Sequence, residues 1–436
     1  MPTPPSAAAR DEPVIRDRGD ACPGALRLHA ADDGYLARVR IPGGLLTARQ
    51  ASVLALAADR FGDGHLELTS RGNVQLRGLA EGCGAGLAEL LDGAGLLPAP
   101  GHERVRNVVA TPLSGILGSE RPHVTPWVGE LDRLLCASTR ATALSGRFLF
   151  AIDDGRGDVA ALDPDVTLLG TPRGRALVRL GAAPGAVEVD AADAPRAALL
   201  AAEYFLDSAD AAGTRAWRVA ELPSVHALED AELAARLGAA GIAADLVPEV
   251  AWPYAPPPKP WGPGTGDRTP LCVLPPLGRL TADQWRLLVR VAGDGGLRIT
   301  PWRSIVLPRA STRRPVDGYA QLEAAGLSVA PDGPWESVTA CTGRPGCAKA
   351  LSDVRADARA VVAADGGAPA GPAGAPVHWS GCERRCGHPR GTAWVDLVAT
   401  SDGYRLDGRP VPSHELAQAV ADARSQPRVS EDAVKK

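Results

Sequence analysis

The sequence predicts an α+β protein in which a duplicated module carries two mixed α/β lobes. Strand-like alternation and amphipathic helices follow one another along most of the chain. One strand–helix–strand unit recurs about 230 residues further on, as an internal duplication would produce. Near the carboxyl end two cysteine pairs with the spacing C-x5-C and C-x3-C stand close together, at Cys341, Cys347, Cys382 and Cys386. We therefore expect the second lobe to hold a metal centre.

The overall composition is that of a globular enzyme. At 436 residues the chain exceeds one ordinary core, which predicts two to three domains. A net charge of −4 with mixed signs gives no reason to expect a nucleic-acid partner. No apolar run reaches the ~20 residues that span a bilayer, and the amino-terminal segment lacks the apolar core of a signal peptide. These features predict a cytoplasmic protein without a membrane partner, whose cysteines serve metal or redox chemistry rather than disulfides.

The first module is expected at residues 21–82, after a disordered leader at residues 1–20 that is rich in Pro, Ala and charge. Two stretches of strand-like alternation open the module. Thr47 then caps an amphipathic helix, because a threonine side chain satisfies the free N–H groups of a first turn. Residues 66–71 return to strand alternation. The unit is strand, strand, helix, strand.

The second copy is expected at residues 271–330. Two short segments recur in the same order, a helix start and a strand: LTARQ at 46–50 as LTADQ at 280–284, and LELT at 66–69 as LRIT at 297–300. Arg303 follows the second strand near the place that Arg71 takes in the first copy. Matched caps and strands in one order favour duplication over a chance similarity of amphipathic segments.

Two lobes follow the two copies. Residues 100–253 predict an α/β lobe that lacks a cysteine cluster, with helices at 128–144, 191–212 and 227–240. Residues 254–270 are so rich in Pro and Gly that they predict a linker. Residues 335–425 predict the second α/β lobe, and residues 426–436 a disordered tail. A helix over 348–363 would begin directly after Cys347 and turn its free N–H groups toward a bound metal.

The four cysteines favour a cuboidal iron–sulfur cluster, in which each iron takes one cysteine sulfur. Structural zinc is the alternative, since it also binds four cysteines. Zinc knuckles usually have two to four residues between the cysteines of a pair, and the gap between Cys341 and Cys347 is wider.

Together these motifs resemble the nitrite and sulfite reductase hemoprotein family. The segments Thr69-Ser-Arg-Gly-Asn-Val-Gln75 and Val105-Arg-Asn-Val108, together with both cysteine pairs, match that family in order and spacing. The resemblance implies a pseudo-twofold fold with ferredoxin-like half domains and two α/β lobes. It also implies a 4Fe-4S cluster beside a tetrapyrrole, with siroheme as the bound tetrapyrrole in the reductases themselves. The implied substrate-binding residues are Arg71, Asn73, Gln75, Arg106, Asn107 and Arg147. Exposed strand charges are the simpler alternative for the arginines.

One departure from the family concerns protons. The reductases carry a pair of lysines, K-x-K, where this chain has Ser145-Gly-Arg147-Phe-Leu149. Arginine is a poor proton donor because its pKa stays above about 12, and leucine donates none. The anion-reducing apparatus is therefore expected to be missing.

A second set of segments resembles an oxygen-using branch of the family, from aerobic cobalamin biosynthesis: Ala21-Cys-Pro-Gly24, residues 148–158 and Cys386-Gly-His-Pro389. That resemblance implies an O2-dependent monooxygenase that hydroxylates precorrin-3A at C20 and closes a lactone from the ring A acetate. It further implies a mononuclear non-haem iron and an external electron donor, such as a ferredoxin or an NAD(P)H-dependent reductase.

Several alternatives remain at this stage. A siroheme-dependent sulfite or nitrite reductase and a 4Fe-4S electron-transfer or tetrapyrrole-carrier protein are the rival functions. In siroheme enzymes the last cysteine of the quartet bridges cluster and haem iron, so without siroheme Cys386 should bind the cluster alone. The catalytic residues and the ligands of a second iron are not visible, because no H-x-D spacing occurs. His378, His388, Asp153 and Asp154 are candidates, with packing and turn formation as their simpler roles.

Overall fold

A computed structural model describes residues 23–117, 120–261, 270–308, 315–364, 374–388 and 394–426. The predicted leader, most of the predicted tail, Cys22 and the part of the linker at 262–269 lie outside these ranges. No helix within them is long and apolar enough to cross a membrane.

The first copy of the module begins the fold. Its elements are β1 His29–Ala31, β2 Gly34–Val39, β3 Leu45–Leu46, α1 Ala48–Phe61, β4 His65–Leu68, β5 Val74–Leu79 and α2 Gly84–Gly93. The predicted cap of α1 is confirmed: the Gln50 N–H donates to the Thr47 hydroxyl at 3.2 Å, and the Thr47 N–H donates to the Gln50 side chain at 3.1 Å. This reciprocal pair satisfies two backbone donors that a helix start leaves free.

Lobe 1 is a mixed sheet covered by helices. Its elements are β6 Val108–Ala110, α3 Thr125–Ala137, β7 Phe150–Asp153, β8 Val166–Thr171, β9 Arg175–Leu180, β10 Ala186–Asp190, α4 Ala194–Ala211, α5 Asp230–Ala239 and β11 Ala244–Val247. The strand order is β11-β10-β9-β8-β7-β6, in which β6, β7 and β8 run parallel and the others pair antiparallel. The helices α3, α4 and α5 lie within 3 residues or so of their expected starts.

The second copy repeats the first. Its elements are β12 Leu271–Val273, β13 Arg279–Thr281, α6 Ala282–Ala292, β14 Leu297–Ile299, β15 Ile305–Leu307 and α7 Pro315–Ala324. The same reciprocal cap recurs between Thr281 and Gln284 at the start of α6. The two capped helices pack together, and the Trp285 indole N–H donates to the Ala51 carbonyl across them at 2.8 Å.

The two copies exchange a strand. The sheet of the first copy has the order β1-β2-β5-β4-β13, and that of the second has the order β12-β15-β14-β3. Thus β13 of the second copy pairs with β4, and β3 of the first copy pairs with β14. The apolar side chains of both copies form one continuous core. The copies therefore form a single pseudo-twofold body rather than two separate domains, which confirms the predicted duplication.

Lobe 2 repeats the layout of lobe 1 on a smaller scale. Its elements are β16 Val338–Ala340, α8 Val354–Ala364, β17 Val377–Ser380, β18 Val395–Thr400, β19 Gly403–Leu406, β20 Arg409–Val411 and α9 Leu416–Ser425. The strands β16, β17 and β18 run parallel, and β19 and β20 continue the sheet antiparallel.

The expected helix start after Cys347 is wrong. Helix α8 begins at Val354, because the Asp353 carboxylate accepts the Ala356 N–H at 3.0 Å and caps the first turn. Leu351, which falls within the expected helix at 348–363, lies before the observed helix and is exposed. The first turn of α8 is therefore satisfied by Asp353 and does not supply free N–H groups to the cysteines.

Candidate functional site

The cysteines lie at one edge of the lobe 2 sheet. Strands β16 and β17 are parallel neighbours with Ala340 opposite Trp379. Their carboxyl ends therefore meet at the same edge. Cys341 directly follows β16 and opens the first cysteine loop, residues 341–347, while Cys382 follows β17 closely and opens the second cysteine loop, residues 382–386. The topology alone brings the two cysteine pairs together.

Backbone hydrogen bonds join the two cysteine loops. The Cys341 N–H donates to the Trp379 carbonyl at 2.9 Å, and the Gly381 N–H donates to the Cys341 sulfur at 3.1 Å. The Gly381 carbonyl in turn accepts the Leu351 N–H at 2.8 Å. A Cβ at Gly381 would lie 2.7 Å from the Ala350 Cβ, so this close approach requires glycine.

The thiols are free and close enough to affect one another. All four are unpaired cysteines; three are half-buried and Cys386 is exposed. Burial raises the pKa of the Cys341 thiol, the N–H groups of Gly381 and Gly343 oppose that rise, and Cys386 and Cys382 add to it. The thiols of the second loop are therefore close enough to Cys341 in the first loop to affect its pKa.

The chemistry of the four thiols fits a cuboidal cluster, in which each iron binds a different thiolate. Among the residues that the structure describes, no three His, Cys, Asp or Glu side chains converge on one position. Four thiols on two adjacent loops are the donor set that such a cluster needs.

The first half domain holds the first cysteine loop. Arg77 on β5 is buried, and its guanidinium donates to Asp33 at 2.7 and 2.8 Å and to the Gly346 carbonyl at 2.8 Å. The Asp32 carboxylate accepts the Ala348 N–H just beyond the loop. The loop is therefore positioned by the half domain as well as by its own lobe.

Three of the predicted substrate-binding residues meet at one loop of lobe 1. The Arg71 guanidinium donates to the carbonyls of Gly146 and Arg147, each at 3.0 Å. The Asn107 side-chain amide also donates to the Gly146 carbonyl, at 2.9 Å. The buried side-chain oxygen of Asn107, Oδ1, accepts no hydrogen bond from any described residue. Arg71, Asn107 and Arg147 thus share a loop that connects the first half domain with lobe 1.

Asn73 and Gln75 are buried and hydrogen-bonded inside the first half domain. The Asn73 carbonyl oxygen accepts the Ile41 N–H at 2.9 Å. The Gln75 side chain accepts from Arg38 at 2.9 Å and donates to Glu67 at 3.3 Å. Their contact with a substrate stays a prediction, since both side chains already serve the half domain.

Arg106 is held by a carboxylate of lobe 1. Its guanidinium makes a two-pronged ion pair with Asp132 on α3, at 2.6 and 2.8 Å, and also donates to the Leu96 carbonyl at 3.3 Å. Such planar pairing is what arginine and carboxylate geometry favours. The predicted substrate contact of Arg106 also stays a prediction, and it would require Asp132 to give up the pair.

The place of the missing lysines is occupied by one exposed and one buried side chain. The Arg147 guanidinium lies 4.9 Å from the centre of the Trp217 ring, a cation–π contact at the surface of lobe 1. The Leu149 side chain is 5% exposed and packs among apolar residues of lobe 1. The structure thus offers no lysine at either position.

The histidines and acids considered for a second iron have other roles in the described residues. His378 on β17 is fully buried, and its Nδ1 lies 2.8 Å from the Thr339 hydroxyl. Burial lowers its pKa to about 3, and the nearby His388 and Arg303 add to that effect. Asp153 accepts backbone N–H groups with both oxygens and shapes its turn, while Asp154 pairs with Arg156.

Arg303 lies against the second cysteine loop, which the sequence comparison of the two copies did not predict. The two turns match residue by residue from Thr69 and Thr300, so Arg303 takes the place of Gly72, and Trp302 that of Arg71. Arg303 therefore lies near the place of Arg71, as predicted, but one residue further along the turn. Aligning residues 69–73, TSRGN, with residues 300–304, TPWRS, pairs Gly72 with Arg303 and could have predicted this placement.

The comparisons with known proteins agree with this architecture. A family model, the nitrite/sulfite reductase ferredoxin-like half domain, matches residues 29–92 and 264–314. A precorrin-3B synthase from Sinorhizobium sp is 25% identical over 427 residues, which cover 90% of this chain and 83% of the relative. A ferredoxin–nitrite reductase from Leptolyngbya laminosa is 26% identical over 410 residues, which cover 88% and 79%.

A solved structure shows the same fold. The NirA protein of Mycobacterium tuberculosis superposes with a TM-score of 0.69 at 18% identity, over 91% of this chain and 82% of that one. The predicted resemblance is confirmed by the paired half domains, by the lobes and by the relative and the solved structure that match most of this chain. The chain therefore has the nitrite/sulfite reductase fold and carries both ferredoxin-like half domains of that family.

Proposed function

We propose that the chain is a precorrin-3B synthase, an O2-dependent monooxygenase of aerobic cobalamin biosynthesis that hydroxylates precorrin-3A at C20 and closes a lactone from the ring A acetate. The observation that carries the proposal is Leu149, a buried apolar side chain where the reductase pattern has a lysine. Reduction of nitrite or sulfite consumes several protons, and neither Leu149 nor Arg147 supplies them. The similarity to the Sinorhizobium precorrin-3B synthase along 90% of this chain supports the same conclusion.

Binding of the tetrapyrrole is assigned to the surface between the first half domain and lobe 1. Precorrin-3A carries several carboxylates, and a guanidinium pairs with a carboxylate through two parallel hydrogen bonds. The Arg71 guanidinium binds the backbone of Gly146 and Arg147 there. The Asn107 side chain donates to the same loop, and its Oδ1 is free to accept an N–H of the substrate. In this role the two arginines bind and orient the substrate carboxylates.

The four cysteines are proposed to hold a 4Fe-4S cluster. When bound, the cluster supplies electrons one at a time. Cys341 and Cys347 act from the first cysteine loop, Cys382 and Cys386 from the second, and the Gly381 N–H donates to the Cys341 sulfur. Such N–H donation stabilises a thiolate and is one of the factors that set a cluster potential.

The resemblance also implies a mononuclear non-haem iron. His378, His388 and Asp396 lie close together: the two imidazole rings are 5.1 Å apart, and His388 lies 3.9 Å from Asp396. No three such side chains converge on one metal position among the described residues, and Asp396 is paired with Arg385. The described residues do not fit this iron as they stand, and we assign it no ligands.

An external electron donor, such as a ferredoxin or a reductase, would reach the cluster from the open side of lobe 2. Cys386 is exposed, and a shallow cavity of about 470 Å³ lies beside Cys382. Lys349, Arg384 and Arg405 line this cavity together with one acid, Glu383, which pairs with Arg405, so the lining keeps a net positive charge. The positive charge favours an acidic carrier as the donor, because complementary charge speeds encounter.

A siroheme-dependent nitrite or sulfite reductase is the second candidate function. The nitrite reductase from Leptolyngbya laminosa matches 88% of this chain at an identity close to that of the precorrin-3B synthase. Identity therefore does not separate the two functions, and the decision rests on the lysine positions and on the bound tetrapyrrole. A carrier of electrons or tetrapyrrole, without catalysis, is the third candidate.

The test is turnover of precorrin-3A under labelled dioxygen, with the chain purified without oxygen. We expect one labelled oxygen atom in the product and the other in water, with two electrons and two protons consumed. The purified protein should show a cluster absorption spectrum without siroheme bands. Cys386→Ser should lose cluster iron and turnover, because it removes one of the four proposed ligands.

The matched control is Cys83→Ser, which changes a cysteine at the start of α2, outside the cysteine loops. It should keep both cluster and turnover. Tightly bound siroheme with reduction of nitrite or sulfite would establish the reductase instead. An intact cluster with no turnover of any of these substrates would favour the third candidate, a carrier of electrons or tetrapyrrole.

A further inference from the structure

The two copies of the half domain contain the same strand-joining turn with one informative difference. In the first copy Thr69 and Asn73 close the turn, and Thr300 and Ser304 close it with the same backbone hydrogen bonds in the second. The fourth position has positive φ in both, 66° at Gly72 and 61° at Arg303. Glycine adopts this conformation without strain, whereas a side chain is strained there. The turn alone would favour glycine at this position, so the arginine indicates a role for its side chain.

The Arg303 side chain reaches the second cysteine loop. Its aliphatic part covers Gly278, where an added Cβ would lie 2.7 Å from the Arg303 Cδ. Its Nη2 lies 3.7 Å from the position that a Cβ would take at Gly387, directly after Cys386. The guanidinium also lies beside His378, whose imidazolium form it disfavours. The strained turn thus places the Arg303 guanidinium beside Gly387, at the end of the second cysteine loop.

No described residue neutralises this cation directly. The Arg303 guanidinium makes no hydrogen bond or ion pair within the described ranges, while its backbone N–H donates to the Thr300 carbonyl in the turn. Burial lowers the pKa of the guanidinium, with Arg355 adding to the effect and Glu67 opposing it. Glu67 is the nearby carboxylate, but it is held by Arg355 and lies 3.5 Å from Arg279. Its single negative charge is thus shared among several arginines. Arg303 is half-buried, and a guanidinium that is partly removed from water without a partner favours an anion beside it.

We propose that the positive charge of Arg303 raises the midpoint potential of the iron–sulfur cluster. The inference rests on the proposed cluster at the four cysteines. A cluster with four thiolate ligands is negatively charged, and its reduced state carries one more negative charge than its oxidised state. A nearby positive charge therefore stabilises the reduced state more, which makes the cluster easier to reduce. The loop next to Cys386 is where this charge would act.

The test is an anaerobic redox titration of the cluster-loaded chain, followed by electron paramagnetic resonance. Arg303→Gly is the main variant, because glycine occupies the same turn position in the first copy and keeps the fold. We expect its midpoint potential to be more negative than that of the unchanged chain, at equal iron and sulfide per chain. Arg303→Lys should restore part of the difference, since it returns the charge.

Arg290→Gln is the control, because this arginine is exposed on α6 of the same half domain. It should leave the potential unchanged. If the glycine variant binds no cluster, Arg303→Gln is titrated in its place and must show the same negative shift. An unchanged potential in the neutral variants would overturn the inference while leaving the proposed function intact. A wild-type chain that binds no iron and sulfide would instead overturn the cluster itself.

Discussion

Asp158 lies at the edge of the lobe 1 sheet that corresponds to the cysteine edge of lobe 2. The parallel strands β6 and β7 end as β16 and β17 do, with Thr111 after β6 where Cys341 follows β16. The Thr111 hydroxyl donates to Asp158 at 2.6 Å and so joins the two loops at that edge. At this edge of the sheet, a hydrogen bond joins the two loops in lobe 1, whereas the corresponding loops of lobe 2 carry free thiols.

The charge state of Asp158 should affect stability. Its second oxygen is buried without a partner among the described residues. Burial raises its pKa to about 6, and the Asp153 charge adds to the rise. Since the folded pKa lies above that of the unfolded chain, the folded state binds the proton more tightly. The resulting stabilisation is complete below about pH 4 and is lost as the pH rises through about 6.

Asp158→Asn should remove this loss, because asparagine stays neutral at every pH. We expect the variant to gain up to about 2 kcal/mol over the unchanged chain between pH 4.5 and pH 7. Urea denaturation followed by tryptophan fluorescence at both pH values measures the difference. The exposed Asp402→Asn is the control and should show no such trend. An equal effect of Asp158→Asn at both pH values would contradict the raised pKa.

Other roles of single residues depended on distant partners. The sequence marks Arg71 and Arg106 as similar arginines beside strands, but Arg71 contacts the Gly146 loop whereas Arg106 pairs with Asp132. An arginine reaches several carboxylates in an unfolded chain, and only the packing of α3 against β6 selects Asp132. For this reason the substrate-binding assignment of Arg106 has less structural support than that of Arg71.

At the scale of elements, a close crossing joins the two copies. Gly44 lies directly before β3 with φ of 68°, and a Cβ there would lie 1.9 Å from the Ile299 carbonyl oxygen at the end of β14. The exchanged pairing of β3 with β14 therefore depends on the missing side chain. The equivalent turn of the second copy places Leu277 and Gly278 at positive φ, so the pattern is also duplicated.

Gly44→Ala should destabilise the protein by more than about 2 kcal/mol, because it adds both a backbone clash and conformational strain. Thermal or urea denaturation of the two proteins measures the loss. Gly93→Ala is the matched control at the end of α2, where an added Cβ meets no atom within 4 Å. The control should be neutral or slightly stabilising. Equal stability of both variants would show that the β3 and β14 crossing can relax.

At the scale of the whole molecule, the exchanged strands make the two copies depend on each other. The first copy lacks the edge strand β13 unless the second copy is present, and the second lacks β3. Each copy alone would leave a strand edge unpaired and part of the common core exposed. We therefore expect neither copy to be a stable domain alone.

Fragments 1–261 and 262–436 provide the test. Each fragment expressed alone should aggregate, since its half-domain core is incomplete, although the separate core of its lobe can still unfold cooperatively. Co-expressed fragments should associate and stay soluble, because the chain break falls in the predicted linker. A soluble, monomeric fragment whose half-domain amides are protected from hydrogen exchange would contradict the shared core.

The sequence by itself determined the local features of this protein. The capped helix starts at Thr47 and Thr281 were predictable because a cap and its partner lie 3 residues apart. The cysteine pairs were recognisable for the same reason, since each lies within one short loop. The duplication and the lobes followed from the order of such local signals.

Only the tertiary structure decided which distant groups meet. It selected Asp132 for Arg106, exchanged β3 and β13 between the copies, and placed the start of helix α8 after Asp353 rather than after Cys347. It also placed Arg303 against the second cysteine loop, more than 80 residues further along the chain. Local hydrogen bonds and periodicity are encoded over a few residues, whereas pairing between distant charges and strands is settled when the whole core packs.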